Sequence, residues 1–351
     1  MKNKQMFVSI LCVIFSLFAL TLFAVGETET EAASDSGVAD SINIYTTLHE
    51  ELAAVIFPAF TEATGIKVEF TRLSTGETVA RLEAEKGNPQ VAIWVGGVGL
   101  GHIEAKNKGL TMQYVSPNAA DTPDNFKDPD NYWTGLYAGM LCFESNTELL
   151  ERYGLTAPTS WEEICDPKYA SHVQMANPGA SGTAYNVLAT LVNIYGEDEA
   201  FELLQKLDAN INMYTTSGSK PGKNVAIGEM TIAIGYSHDA VKLIAQGYPM
   251  SLTYPSEGTG YEVASVSMVA GGPEEDYSAA EILYDWMLTD EAAQIMADNM
   301  IVPFRDVNLA PGTQAVSDVN TVDQDMEWDA ANKQRLVELW NEIVGGESKT
   351  Q

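Results

Sequence analysis

From residue 42 onwards, segments with the pattern of a strand alternate with segments with the pattern of a helix. Of all the features of the sequence, this alternation limits the possible folds most strongly. The predicted strands cover 42–46, 67–72 and 91–95, and the helices between them cover 50–63 and 78–86. A β-α-β-α-β order favours a mostly parallel sheet covered by helices, because each strand returns through a right-handed helical crossover. The sequence therefore predicts an α/β protein whose strand ends lie at one edge of the sheet.

Residues 1–26 have the pattern of a secretory signal peptide. A lysine-containing start precedes an apolar stretch at 6–25, and the small residues around Ala24 and Gly26 indicate cleavage near Gly26. An uncleaved membrane anchor is the alternative. Residues 27–40 are acidic and small, which predicts a disordered lead-in before a fold that begins at Ser41. This pattern predicts export to the periplasm.

The charge of the chain excludes several partners. There are 49 acidic and 19 basic residues, and the formal net charge is -30. A surface built for nucleic acid or anionic lipid needs the opposite balance. The sign of a small ligand stays open, because helix N-termini and backbone N–H groups create positive potential without lysine. We expect a monomer that binds no nucleic acid.

Two cysteines, Cys142 and Cys165, remain after removal of the signal segment. In an oxidising compartment they could close a loop of about 23 residues, which would stabilise the fold by roughly 3 kcal/mol if the geometry allows. Two separate buried thiols are the alternative.

Short motifs from residue 64 to residue 262 carry a family resemblance. They are TGIKV at 64–68, SWEE at 160–163, DPKY at 166–169, MANP at 175–178, SGT at 181–183, IGY at 234–236 and EGTGYE at 257–262. Together they resemble the type 2 periplasmic solute-binding proteins of ABC importers, in the ferric-iron-binding-protein-like family. The motifs are most similar to the branch that binds hexose phosphates and phosphonates.

The resemblance implies an α/β, two-lobed type 2 periplasmic binding protein fold with two hinge crossovers. Lobe one would comprise 41–137 plus 263–305, lobe two would comprise 138–262, and 306–351 would form a C-terminal helical segment that packs on the lobes. Such a protein closes on its ligand and delivers it to an ABC permease in the cytoplasmic membrane. Docking to a membrane receptor, as a sensor, is an alternative that the sequence does not separate.

Four loops rich in hydroxyl groups and glycine follow predicted strands. Each offers backbone N–H and side-chain O–H donors beside a helix start, which suits phosphate, phosphonate or carboxylate. Any one alone is better explained by ordinary helix capping, but four in matching places favour a binding site. The candidate residues are Thr46, Thr47, Ser74, Thr75, Gly76, Ser181, Gly182, Thr183, Thr216 and Ser217.

The segment at 236–239 decides between two ligand classes. Ferric binders of the family carry adjacent tyrosines where this chain has His238 and Asp239, so the phenolate pair that suits Fe(III) is missing. Together with Glu262, these residues resemble the sugar-binding set of the hexose-phosphate branch, in which carboxylates accept hydrogen bonds from hydroxyl groups. Iron remains the alternative, with Tyr236, His238, Asp239 and Tyr261 as its ligands.

Two further interpretations concern Trp94 and catalysis. Trp94 lies at the end of the third predicted strand, where its ring could stack on a sugar or pack between the lobes. A Gly-x-Ser-x-Gly elbow and a histidine-containing metal motif are both missing from the sequence. We therefore expect a binding protein with no cofactor, and a hydrolytic enzyme is a minor alternative.

Overall fold

The computed structural model describes residues 38–345 and 349–350, and across them it contains 11 strands and 11 α-helices. The strands are β1 (Ser41–Thr46), β2 (Lys67–Arg72), β3 (Ile93–Val98), β4 (Thr111–Met112), β5 (Thr134–Asn146), β6 (Val173–Ala176), β7 (Ile211–Thr215), β8 (Ile232–Tyr236), β9 (Met250–Thr253), β10 (Tyr261–Val269) and β11 (Val302–Pro303). The signal segment and most of the acidic lead-in lie outside the described residues.

The helices follow most of these strands, as an α/β order requires. They are α1 (Glu50–Thr64), α2 (Thr75–Ala84), α3 (Gly99–Asn107), α4 (Thr147–Tyr153), α5 (Gly182–Tyr195), α6 (Glu197–Asn210), α7 (Lys220–Ala226), α8 (Ser237–Ala245), α9 (Tyr277–Met287), α10 (Asp290–Asp298) and α11 (Met326–Ile343). The short helix α7 begins at Lys220, because Pro221 is well placed in a first turn, where its missing N–H costs nothing. Within the described residues, no helix is long and apolar enough to cross a membrane.

The strands form one mixed sheet in the order β2-β1-β3-β10-β5-β8-β6-β7, with β4 on β10 and with β9 and β11 on β5. Neighbours are parallel within the β1–β3 group and within the β6–β8 group. The two middle strands β5 and β10 run antiparallel to their neighbours. The first part of β5 pairs with β10 and its second part pairs with β8, so β5 joins the two parallel groups.

Each parallel group has its own large hydrophobic core. One packs β1, β3 and β10 against α1, α9 and α10, with Phe57, Phe60 and Leu283 fully buried. The other packs β6–β8 against α5, α6 and α11, with Leu188 and Trp340 fully buried. Burial of side chains of this size contributes roughly 1.5–3 kcal/mol each, so both groups have substantial apolar support.

The C-terminal segment contains less helix than the sequence suggested. Between 306 and 325 the only helical element described is a 3₁₀ turn at Val316–Asp318, and the long helix is α11. Lys333 Nζ on α11 lies 2.7 Å from Glu104 Oε2 on α3, and Arg335 forms two 2.8 Å hydrogen bonds with Glu197 at the start of α6. Helix α11 therefore contacts elements next to both parallel groups.

The two cysteines are separate thiols, both free and buried, so the disulfide considered from the sequence is not formed. Cys142 lies in the middle of β5, opposite Gly235 of β8. Cys165 ends a 3₁₀ turn beside α6, and its Sγ donates to the Trp161 and Leu203 carbonyl oxygens at 3.2 and 3.5 Å. The two thiols occupy different packing environments, which loop length alone could not reveal.

Asp329 is a buried carboxyl in the first turn of α11 that should make stability depend on pH. Burial raises its pKa from 3.8 to about 6. The folded state therefore retains this proton more strongly than the unfolded chain, so the contribution to stability falls as pH rises from about 4 to 6 and stays lower above. We expect Asp329→Asn to stabilise the protein by about 1–2 kcal/mol at pH 8, after allowance for the lost helix-dipole interaction.

The same substitution should change stability little at pH 4, and denaturant unfolding at both pH values measures the difference. Asn193 Nδ2 donates to Asp329 Oδ1 at 2.9 Å, and an amide oxygen can accept that bond equally well. Glu327→Gln, an exposed change in the same helical turn, is the matched control and should show no gain at pH 8. If Asp329→Asn changes stability equally at both pH values, burial of the charged Asp329 carboxyl does not lower stability at high pH.

Candidate functional site

A small cavity of about 60 Å³ lies where the loops after several strands meet. It brings together seven of the hydroxyl and glycine residues expected from the sequence, namely Thr47, Ser74, Thr75, Ser181, Gly182, Thr183 and Ser217. These residues come from segments more than a hundred positions apart. They meet because parallel strands of both groups direct their carboxyl ends to this place.

Two helices begin at this cavity. Ser74 caps α2 in a capping box with Glu77, and Ser181 caps α5 by accepting from the Ala184 N–H. Ser74 Oγ also donates to the Ala180 carbonyl oxygen at 3.2 Å, which joins the two loops. Gly182 permits this approach, since a Cβ there would lie 2.9 Å from Val98 Cγ2. The cavity therefore receives the positive ends of two helix dipoles.

Arg72 supplies a full positive charge at the same place, and the sequence analysis missed it. It ends β2, and among the described residues it is the only lysine or arginine that lines the cavity. Its Nε donates to the Leu48 carbonyl oxygen at 2.9 Å. The described residues show no second hydrogen bond or salt bridge of its guanidinium, but its charge helps the Ser74 hydrogen bonds to lower the pKa of the Glu77 carboxyl. Charged residues at strand ends, considered together with the serines and threonines, would have indicated it.

The cavity is also lined by acidic residues. Asp239 and Glu262 line it with His49, and the His49 Nε2 lies 3.4 Å from Asp239 Oδ1. Burial raises the pKa of the Glu262 carboxyl well above its ordinary value, and the charge of Asp239 raises it further. The two carboxyl groups therefore differ in environment, and the protonated form of Glu262 is favoured. His49, the residue before α1, was not identified from the sequence.

His238 is buried directly behind these acidic residues. Its Nε2 lies 3.8 Å from Glu262 Oε1, and neither ring nitrogen has a hydrogen-bond partner among the described residues. Burial lowers its pKa to about 4, so the ring is neutral at physiological pH. Gly139 on β5 makes room for it, because a Cβ there would lie 2.6 Å from the ring. A neutral imidazole with two unpaired nitrogens can still donate one hydrogen bond and accept another.

Several residues predicted for the site lie elsewhere. Thr46 is fully buried and its Oγ1 donates to the Val95 carbonyl oxygen at 2.9 Å, so it holds β1 to β3. Gly76 packs against the Ala180 carbonyl oxygen and does not line the cavity. Thr216 lines a neighbouring cavity instead. These three residues support the loops around the site.

Trp94 cannot stack on a ligand, as it is fully buried. Its ring stacks on His102 at a centroid distance of 3.7 Å, and its Nε1 donates to Thr47 Oγ1 at 3.0 Å. Successive side chains of β3 point to opposite faces of the sheet, and α3 covers the face on which the Trp94 side chain lies. Trp94 therefore orients Thr47, which does line the cavity.

The iron ligand set considered from the sequence is only partly assembled. Tyr236 lines the cavity, whereas Tyr261 is half-buried and packs against Phe126. A different group could hold a metal ion, since ligand atoms of His49, His238 and Asp239 all lie within 4.8 Å of one another. Imidazole and carboxylate ligands of this kind suit borderline divalent metals better than Fe(III).

The family model for bacterial extracellular solute-binding proteins matches residues 102–332. This chain therefore belongs to that family. It is an extracytoplasmic solute-binding protein of an ABC import system, with the α/β fold of type 2 periplasmic binding proteins. Members of the family bind solutes and are not enzymes.

Two curated proteins and one solved structure are similar over most of the chain. An uncharacterised protein of Haemophilus influenzae is 34% identical over 86% of this chain and 90% of its own length. A putative 2-aminoethylphosphonate-binding periplasmic protein of Salmonella typhimurium is 28% identical over 68% of this chain and 69% of its own. The structure of the periplasmic binding protein AfuA from Actinobacillus pleuropneumoniae, with fructose-6-phosphate bound, is 32% identical with a TM-score of 0.84, covering 87% of this chain and 98% of that one.

Proposed function

We propose that this protein captures a small phosphorylated or phosphonate organic anion, with a sugar phosphate as the favoured ligand. The observation that carries the proposal is the mixed chemistry of the cavity lining. The same cavity is lined by Arg72, by hydroxyl groups at two helix N-termini, and by the carboxyl groups of Asp239 and Glu262. A sugar phosphate has the same two kinds of group, an anion at one end and hydroxyls along the rest.

The basic and hydroxyl groups of the cavity fit a tetrahedral anion. Arg72 presents a planar fork of N–H donors, which matches phosphate oxygens in a bidentate arrangement. The loops at Ser74 and Ser181 add hydroxyl and backbone donors at the positive ends of α2 and α5. Because the cavity is partly enclosed, these interactions are screened less than they would be at the surface.

The acidic groups of the cavity fit ligand hydroxyl groups. The Asp239 carboxyl oxygens would accept hydrogen bonds, whereas the protonated form of Glu262, which burial favours, would donate one and accept others. His49 beside Asp239 adds another nitrogen. The Salmonella relative's name refers to a phosphonate and the AfuA structure holds a hexose phosphate, so both support an organic anion of this size.

Ferric iron is the second candidate, because the cluster of His49, His238 and Asp239 could hold a metal ion, although its imidazole ligands suit a divalent metal better. Two phenols, those of Tyr137 and Tyr236, line the cavity, but burial raises the pKa of both well above the ordinary value. Fe(III) is held best by anionic oxygen ligands, and a phenol that resists ionisation is a poor one. The phosphate donors of the cavity would have no role for a bare ion.

We also propose that the ligand acts by closing two lobes, 41–137 plus 263–305 and 138–262. Contacts between these segments support a closed state, including the Ser74–Ala180 hydrogen bond and the His49–Asp239 contact. Strands β5 and β10 would be the two hinge connections. A ligand that touches both lobes stabilises the closed state, which an ABC permease would then recognise, with the protein acting as a monomer.

A thermal-shift panel tests the proposed ligand class. It should contain glucose 6-phosphate, fructose 6-phosphate, 2-aminoethylphosphonate, inorganic phosphate, thiamine phosphate, a polyol and ferric citrate. A true ligand at about 100 times its dissociation constant adds roughly 2.7 kcal/mol to the stability. We expect a sugar phosphate or the phosphonate to do so and also to lower the radius of gyration in solution scattering. A shift with ferric citrate alone would favour iron.

A further inference from the structure

A second and larger cavity adjoins the first. Its volume is about 440 Å³, against about 60 Å³ for the first, and both are lined by His49, Arg72, Ser217 and Ser219. Arg72 therefore lies at the junction between them. The first cavity is the smaller of the two, and a ligand held there can extend past Arg72 into the second.

The second cavity is locally basic on a strongly acidic protein. Arg72, Lys220 and Lys223 line it, and Glu50 is its only acidic lining residue among those described. These are three of the 19 basic residues of a chain whose net charge is -30. Lys223 Nζ lies 3.6 Å from Glu51 Oε1, an exposed and weak pairing, and Lys220 has no ion pair within the described residues.

We propose that the second cavity is a subsite for a second anionic group, so that the preferred cargo is an organic phosphate with negative charge at both ends, of the sugar bisphosphate class. This inference rests on the proposed function. One anionic group would occupy the first cavity beside α2 and α5, and the other would lie between Lys220 and Lys223. Arg72, at the junction, can contact either group. Thr216 and Ser219, which also line this cavity, add hydroxyl donors.

Calorimetry with matched ligand pairs tests the subsite. Fructose 6-phosphate is compared with fructose 1,6-bisphosphate, and glucose 6-phosphate with glucose 1,6-bisphosphate, on the full mature protein. We expect the preferred bisphosphate to bind about tenfold more tightly than its monophosphate, the effect of one added charge-assisted contact. The double variant Lys220→Ala/Lys223→Ala should remove this preference and change monophosphate affinity less than about threefold.

The double variant Lys67→Ala/Lys206→Ala is the control. It removes the same net charge from exposed positions that do not line either cavity, and it should keep the preference for bisphosphate. Equal binding of mono- and bisphosphates would overturn the subsite and leave the proposed function intact. Equal weakening of both ligands by Lys220→Ala/Lys223→Ala would also overturn it, because long-range attraction would then be the whole effect. If neither kind of sugar phosphate binds, the proposed function fails and the subsite with it.

Discussion

Arg72→Ala is expected to lower the affinity for a sugar phosphate by about 100-fold or more, which corresponds to roughly 3 kcal/mol. The side chain is the one cation of the described residues that lines the first cavity. Its removal would leave a phosphate with hydroxyl and backbone donors but no full positive charge. Isothermal calorimetry with the sugar phosphate and with inorganic phosphate measures the effect, and both ligands should be affected.

The Arg72 variant needs a check on folding, because its Nε also donates to the Leu48 carbonyl oxygen. Arg72→Lys keeps the charge but loses both that bond and the planar fork, so we expect an intermediate affinity. Arg152→Ala, an exposed change on α4, is the matched control and should bind as the unmodified protein does. If a folded Arg72→Ala protein loses less than threefold in affinity, the anionic group of the ligand does not bind beside Arg72.

Asp239→Ala should discriminate between ligands where Arg72→Ala does not. We expect the sugar phosphate to bind about 30- to 100-fold more weakly, because a carboxylate that accepts from hydroxyl groups contributes roughly 2–3 kcal/mol. Inorganic phosphate has no sugar hydroxyls to lose, so its affinity should change less than about threefold. The ratio of the two affinities, measured on the same preparation, is the informative quantity.

Asp198→Ala is the control for Asp239→Ala. Both residues are acidic and lie in the first turn of a helix, α6 and α8, so both changes remove a favourable interaction with the helix dipole. Asp198 is exposed and does not line the cavity, and its replacement should leave both ligands unaffected. If Asp239→Ala weakens inorganic phosphate as much as the sugar phosphate, Asp239 supports the structure of the cavity and does not contact hydroxyls.

The sequence patterns predicted the edge of the sheet where the site lies. Loops rich in hydroxyl groups after β2, β6 and β7 were recognisable, because capping preferences depend on local chemistry. The family resemblance indicated Asp239 and Glu262, which lie near the starts of α8 and β10. The strand predicted with a bend at 135–144 is the long β5, whose partner β10 shifts register between Ala264 and Ser265.

The errors share one cause, which is that a side chain's direction and neighbours depend on distant segments. Trp94 was considered for ligand stacking, but α3 and His102 cover it. The buried thiols of Cys142 and Cys165 lie in different packing environments, although the spacing allowed a disulfide. Arg72 ends β2 and His49 precedes α1. Nothing in the sequence next to either residue distinguishes it from an ordinary surface residue.

The sequence by itself determined the α/β order, the family and the hydroxyl-rich loops at the strand ends, since strand and helix periodicity and capping act over a few residues. Only the tertiary structure decided that Arg72, Asp239 and Glu262 line the same cavity as these loops. It also placed Lys220 and Lys223 beside a second cavity. The physical reason is that β5 and β10 join the two groups of strands, and the chemistry of the site depends on which charges that connection brings within a few ångströms.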